Sequence, residues 1–166
     1  DLIMSSMSIT PERAERVLFS EPYYITPGGW FGPESFNTDV TDMDAMKDKT
    51  VGVQRGTTMD TYVTENMGGV VNIKRYTTAE DMVLDLEGQR LDAVFVDYPV
   101  GEQTILNREG YKEVGESVKL GEGVGVAMRK RDAKLADDVN AALKKLKEDG
   151  TYDTIMQKYF NYDIKI

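Results

Sequence analysis

Three short stretches of the chain carry side chains suited to holding a small charged molecule. In "SSMSITPERAER" (5–16), Ser5, Ser6 and Ser8 come just before Arg13, which lies one turn into a helix that Pro11 opens behind a Thr10 cap. In "RGTTMD" (55–60), Thr57 and Thr58 follow a glycine at the mouth of a second expected helix. In "LDAVFVD" (91–97), Asp97 closes an apolar run. Hydroxyls beside the unsatisfied N–H groups of a helix start suit an anion, and a guanidinium adds a bidentate partner for a carboxylate. A lone carboxylate suits a cation. An α-amino acid, which carries both charges close together, matches the whole set. Each charge-assisted hydrogen bond contributes about 1.5–3 kcal/mol, so three or four of them, less the ordering cost, reach the roughly −8 kcal/mol of a micromolar complex.

Taken singly, each stretch has a plainer account. Thr57 and Thr58 behind a glycine make an ordinary helix cap. An aspartate after a buried strand is a common turn former, and the serines could be turn chemistry alone. Glycines 52 and 56 are too sparse for a dinucleotide fingerprint, and no lysine–hydroxyl pair follows them as a phosphate loop requires.

The elements that must position these groups alternate. "TVGVQ" (50–54) reads as a strand, 57–67 as a helix, "GVVNIKRY" (69–76) as a strand, 78–89 as a helix and 91–97 as a strand, with a further helix over 98–107. Strand–helix–strand with short connections predicts parallel strands and right-handed crossovers, and ligands then collect at the carboxyl ends of the strands. Residues 2–4 read as a short buried strand, and 21–39, rich in proline and glycine, as an extended segment that loosens into a connector. "GEGVGVAMRK" (121–130) reads as a strand returning through a tight place. A long helix over 133–150 stops at Gly150, and a shorter one over 151–160 starts on a threonine cap.

Composition narrows the chemistry. With 166 residues, 40% hydrophobic and 30% charged, the chain is of globular type, long enough for one domain or two small lobes. The net charge of −9 argues against nucleic acid as a partner. With no cysteine and no histidine, disulfides, Cys- and Ser–His nucleophiles and His-ligated zinc are excluded. No metal and no cofactor is expected. The chain opens on Asp1 and at once on "LIMSSMSI", which reads like the middle of a protein, so an N-terminal portion is expected to be missing.

At the residues singled out above, the chain resembles the periplasmic solute-binding proteins of amino-acid ABC importers, of the lysine/arginine/ornithine- and histidine-binding type (family 3). "DLIMSSMSITPERAERVLFSEPYY", "VGVQRGTTMDTY", "LDAVFVD", "GVGVAMRK" and "LKEDGTYDTIMQKYF" carry the resemblance over essentially the whole chain. It implies an α/β fold of the two-lobed periplasmic-binding-protein type (type II), each lobe a mainly parallel sheet flanked by helices and the ligand clasped between them. Residues 1–27 and 124–166 would form the first lobe, left incomplete because the family's first strand, helix and second strand would precede Asp1. Residues 28–123 would form the second lobe.

Carried over by position, the resemblance gives Arg13 the ligand's α-carboxylate. Ser8, Thr57 and Thr58 would add hydrogen bonds to that group, with Ser5 beside them, and Ser6 and Asp97 would hold the α-ammonium. Met59 stands where members with polar ligands often carry glutamine, and bears on ligand preference. The implied function is delivery of an L-amino acid or a derivative to ABC permease subunits, in the periplasm or, for a Gram-positive source, anchored outside the membrane. Because of the missing segment, association or strand exchange with another chain is also expected. A prephenate or arogenate dehydratase on the same scaffold would need a general acid, for which a glutamate in place of Asp97 would speak; a ligand-sensing module of a receptor is the other alternative. Trp30, Tyr23 and Tyr24 are expected to pack rather than bind.

Overall fold

Alternating apolar runs and amphipathic stretches leave this sequence little choice but strands covered by helices. The computed structural model describes residues 1–166, with elements, in chain order, β1 (Leu2–Ile3), α1 (Pro11–Arg16), β2 (Leu18–Phe19), β3 (Gly28–Pro33), β4 (Thr50–Gln54), α2 (Thr58–Met67), β5 (Asn72–Tyr76), α3 (Ala79–Glu87), β6 (Ala93–Asp97), α4 (Tyr98–Gly101), β7 (Tyr111–Val118), β8 (Ala127–Met128), α5 (Ala133–Glu148) and α6 (Thr151–Tyr159). A π-helical turn over Glu102–Leu106 continues α4. The chain divides into two compact units, Asp1–Ile25 with Gly121–Ile166, and Thr26–Leu120.

These breaks fall slightly earlier than the 27/28 and 123/124 of the sequence reading. The Tyr98 N–H donates to Pro27 O (2.9 Å) and ties residue 27 to the second unit, while Ile9 N–H donates to Gly123 O (2.8 Å) and ties residue 123 to the first.

The second unit is built on a five-stranded sheet of order β5-β4-β6-β3-β7. β4 pairs in parallel with β5 and β6, as the alternation predicts, and β3 is antiparallel to both its neighbours, β6 and β7. Successive residues of a strand face opposite sides. Along β6, Ala93 and Phe95 enter a cluster with Met59, Val63 and Met67 of α2, while Val94 and Val96 enter another with Met82, Val83 and Leu86 of α3. Burial on both faces is why "AVFV" is continuously apolar instead of alternating.

β3 sits within this core, where the sequence predicted a loosening connector. Its glycines are packing devices. A Cβ on Gly28 would lie 2.6 Å from Phe95 Cζ, and the space so left lets Trp30 stack on Phe95 with centroids 4.4 Å apart. Trp30 therefore packs, as expected.

The first unit is lighter. Its sheet has order β1-β8-β2, and both pairings are antiparallel, so the parallel arrangement expected of each lobe belongs to the second unit. A small cluster of Val126, Met128 and Ala136 packs with Leu18, Tyr23, Leu135 and Val139. Residues 2–4 are not buried as expected: Leu2, Ile3 and Met4 are 44%, 52% and 59% exposed, because β1 is an edge strand with only β8 beside it. Gly150 takes the left-handed φ of 80° between α5 and α6. The cap of α6 is not a threonine. Thr151 is already helical, and its N–H donates to Asp149 Oδ1 at 2.9 Å.

Candidate functional site

In the first unit the serine segment leads from β1 into α1. Thr10 caps α1 by accepting the Arg13 N–H at 3.3 Å, which fixes the phase of the helix and so the direction of the arginine. Half-buried Arg13 turns back toward the serines, and its Nη1 donates to the Ser8 carbonyl at 2.9 Å. Ser8 is itself fixed by an antiparallel bridge to Val124. Ser5 and Ser6 are exposed. Ser6 has the left-handed φ of 52°, a conformation that costs a non-glycine residue roughly 1–2 kcal/mol, and its Oγ accepts the Tyr24 hydroxyl at 2.6 Å. The structure thus gathers Ser6, Ser8 and Arg13 into one strand-to-helix turn.

In the second unit, Thr57 and Thr58 follow β4 at the start of α2. Thr57 Oγ1 donates to Gln54 O (2.8 Å) and accepts the Asp60 N–H (3.2 Å), so it is the cap. The Thr58 hydroxyl donates to Met59 Sδ at 3.3 Å. Met59 is 8% exposed and belongs to the core cluster around Phe95, which places it beneath the helix mouth. Asp60, buried in the first turn, was not singled out from the sequence. Its carboxylate accepts the Gly56 N–H (3.0 Å), Thr64 Oγ1 (3.2 Å) and Arg75 Nε (2.8 Å), and so holds the turn between β4 and α2 in shape while countering the positive end of the helix.

Asp97 ends β6, the parallel neighbour of β4. With Val53 opposite Phe95 in register, Asp97 and the Thr57 turn lie at the same end of the sheet. The half-buried carboxylate accepts the Thr26 hydroxyl at 2.7 Å and makes no salt bridge. Burial pushes its pKa above the ordinary carboxylate value; the Thr26 hydroxyl and the Tyr98 N–H work against that rise. A desolvated carboxylate with only neutral donors is stabilised by an incoming cation, and an ammonium group brings three donors to it. A cleft of about 540 Å³ opens at the other end of this sheet, lined among others by Pro33, Lys49, Asp92 and Tyr111, and none of the candidate residues reaches it.

Sequence reasoning missed Thr26 and treated Tyr24 as packing alone. Tyr24 does pack, edge-on to Tyr23 at 4.9 Å, but its hydroxyl is spent on Ser6. Their spacing of two along a segment read as extended was the available signal.

Residues 1–162 match the bacterial extracellular solute-binding proteins, family 3. The chain is 36% identical over 163 residues to the arginine-binding periplasmic protein of Mannheimia haemolytica, covering 96% of this chain and 65% of that protein. It therefore spans a little under two thirds of that relative. Among solved structures, an ancestral arginine-binding protein bound to arginine superposes with a TM-score of 0.89 at 32% identity, covering 97% of this chain and 72% of that one. An ancestral arginine-binding protein bound to glutamine gives 0.88 at 33% identity, covering 98% and 72%. All three are named for binding rather than catalysis. By the extent of the family match, this chain belongs to the bacterial extracellular solute-binding proteins, family 3.

Proposed function

We propose that this chain is the ligand-binding part of an extracytoplasmic protein that takes up an L-amino acid or an amino-acid derivative and delivers it to the membrane permease of an ABC importer. The observation that carries the reading is Asp97, a half-buried carboxylate at a strand end whose hydrogen-bond partner is the neutral Thr26 hydroxyl and which has no cation beside it. In this reading Asp97 and Ser6 take the α-ammonium and Arg13 the α-carboxylate. Ser8, Thr57 and Thr58 add hydrogen bonds to the carboxylate, with Ser5 at the edge of the serine turn. Met59, packed beneath the mouth of α2, tunes which side chain is preferred. The arginine- and glutamine-bound relatives support a polar ligand.

Isothermal titration of the full-length protein against the common L-amino acids and opine-type derivatives tests the proposal; no binding across that panel overturns it. Arg13→Ala is expected to weaken binding about 100-fold or more, since a charged bidentate pair is lost. Affinity equal to wild type in that variant would show that the carboxylate is held elsewhere.

Association with another chain, by strand exchange or edge pairing, belongs to the same proposal. Its support is the exposed apolar edge at Leu2, Ile3 and Met4. Light scattering of the purified chain checks it, and a strictly monomeric species at all concentrations would remove it.

A further inference from the structure

We propose that Tyr24 and Thr26 are positioning residues that aim the two groups assigned to the ligand's ammonium, Ser6 and Asp97, from one stretch of chain. Resting on the function proposed above, this adds two residues to it that touch no ligand themselves.

The first unit's opening stretch ends at Ile25 and the second unit begins at Thr26, so the first passage of the chain from one unit to the other runs through Tyr24-Ile25-Thr26. On one side of that passage the Tyr24 hydroxyl donates to Ser6 Oγ at 2.6 Å; on the other the Thr26 hydroxyl donates to Asp97 Oδ1 at 2.7 Å. The two bonds join residues 18 and 71 positions apart. Neither hydroxyl is loosely placed. Val124 N–H donates to Tyr24 O (2.8 Å) and Ile25 N–H to Ile164 O (2.9 Å), while Pro27 O accepts the Tyr98 N–H (2.9 Å). Backbone bonds therefore brace the passage within each unit.

Each hydroxyl does specific work on its partner. Ser6 stands in a left-handed conformation that it does not prefer, and the Tyr24 proton occupies one lone pair of its oxygen, which leaves the second to face an ammonium in a set direction. Thr26 occupies one oxygen of Asp97, orients the carboxylate plane, and stabilises its charged form against burial. The carboxylate assigned to the ammonium is thus pointed by a neutral neighbour instead of by a competing lysine or arginine.

The test uses a ligand pair that differs only in the group concerned: L-arginine and its des-amino analogue, which keeps the carboxylate and the guanidinium but lacks the α-ammonium. Wild type is expected to prefer L-arginine. Thr26→Val, which keeps the side-chain shape, should lower that preference about tenfold, Tyr24→Phe about threefold, and Thr26→Ser should restore it. Affinity for the des-amino analogue should stay unchanged in all three variants, and this also reports that they are folded. A purely structural role would weaken both ligands together. If wild type prefers L-arginine and Thr26→Val keeps the full preference, the inference falls while the function stands. Should wild type bind neither compound nor any other amino acid, the function falls and the inference with it.

Discussion

The two units of this protein hold their candidate residues by different means. In the second, Asp97 terminates a strand buried on both faces, between a cluster under α2 that holds Phe95 and Val63 and another under α3 that holds Met82, and the packing of those side chains sets its position. In the first, the buried cluster is Val126, Met128 and Ala136, the strands are two residues long, and Arg13 owes its direction to the Thr10 cap and the bond to the Ser8 carbonyl. Packing places Asp97 in the second unit, and hydrogen bonds on short segments place Arg13 in the first. A unit with so small a core has little stability to spare.

The largest expected effect strikes the heavier unit. Phe95→Ala removes the ring on which Trp30 stacks and should cost about 3–5 kcal/mol in urea unfolding. Met128→Ala, in the centre of the first unit's sheet, should cost about 2 kcal/mol, at the lower end of its class because the cluster around it is small and can relax. If Met128→Ala proved the costlier of the two, the contrast between the units would be reversed.

The pH dependence of Asp97 sharpens the contrast further. Its folded pKa lies above the unfolded value, so the folded state binds that proton more tightly. Its contribution favours folding at low pH and is lost as pH rises through the raised pKa. Asp97→Asn should therefore leave the ligand-free protein at least as stable as wild type near neutral pH and flatten this part of the stability profile. A marked loss of stability in Asp97→Asn at neutral pH would mean that the carboxylate serves the fold and not a ligand.

The smallest effect concerns Asp85, a half-buried carboxylate held down to about 2, first by the Tyr76 hydroxyl and then by Arg90, with Lys74 a lesser contributor. The sign here is opposite: stability from this group is present above the unfolded carboxylate value and lost as pH falls toward about 2. Tyr76→Phe should move the Asp85 titration, followed by NMR, back toward the ordinary range. An unmoved titration would assign the shift to Arg90 and Lys74 alone.

How much of this was legible in the sequence follows the same division. The run from β4 to β6 could be read because β4 and β6 are apolar and buried on both faces and the helices between them open on caps at Thr57 and Thr78. β3 could not, since "GGWFGP" looks like a loop until Phe95 is seen to need the space beside Gly28. β7, "YKEVGESV", is an edge strand whose many polar residues hide its period. At β1, three apolar residues suggested burial, yet burial depends on neighbours that local pattern does not reveal. The same holds for the site. The strand-end positions of Thr57 and Asp97 follow from local pattern, whereas the bonds from Tyr24 to Ser6 and from Thr26 to Asp97 are set by topology.

One consequence lies in the order of synthesis. The middle strand of the first unit's three-stranded sheet, β8, comes from residues 127 and 128, so the pairings of β1 and β2 with it cannot form until the ribosome has passed them. By then all of Thr26–Leu120 has been made and can already have collapsed around its own sheet. The bridge from Ser8 to Val124 that fixes the arginine-bearing turn therefore forms only after the second unit has been made, and a nascent chain halted between residues 120 and 124 would carry the whole second unit without that bridge.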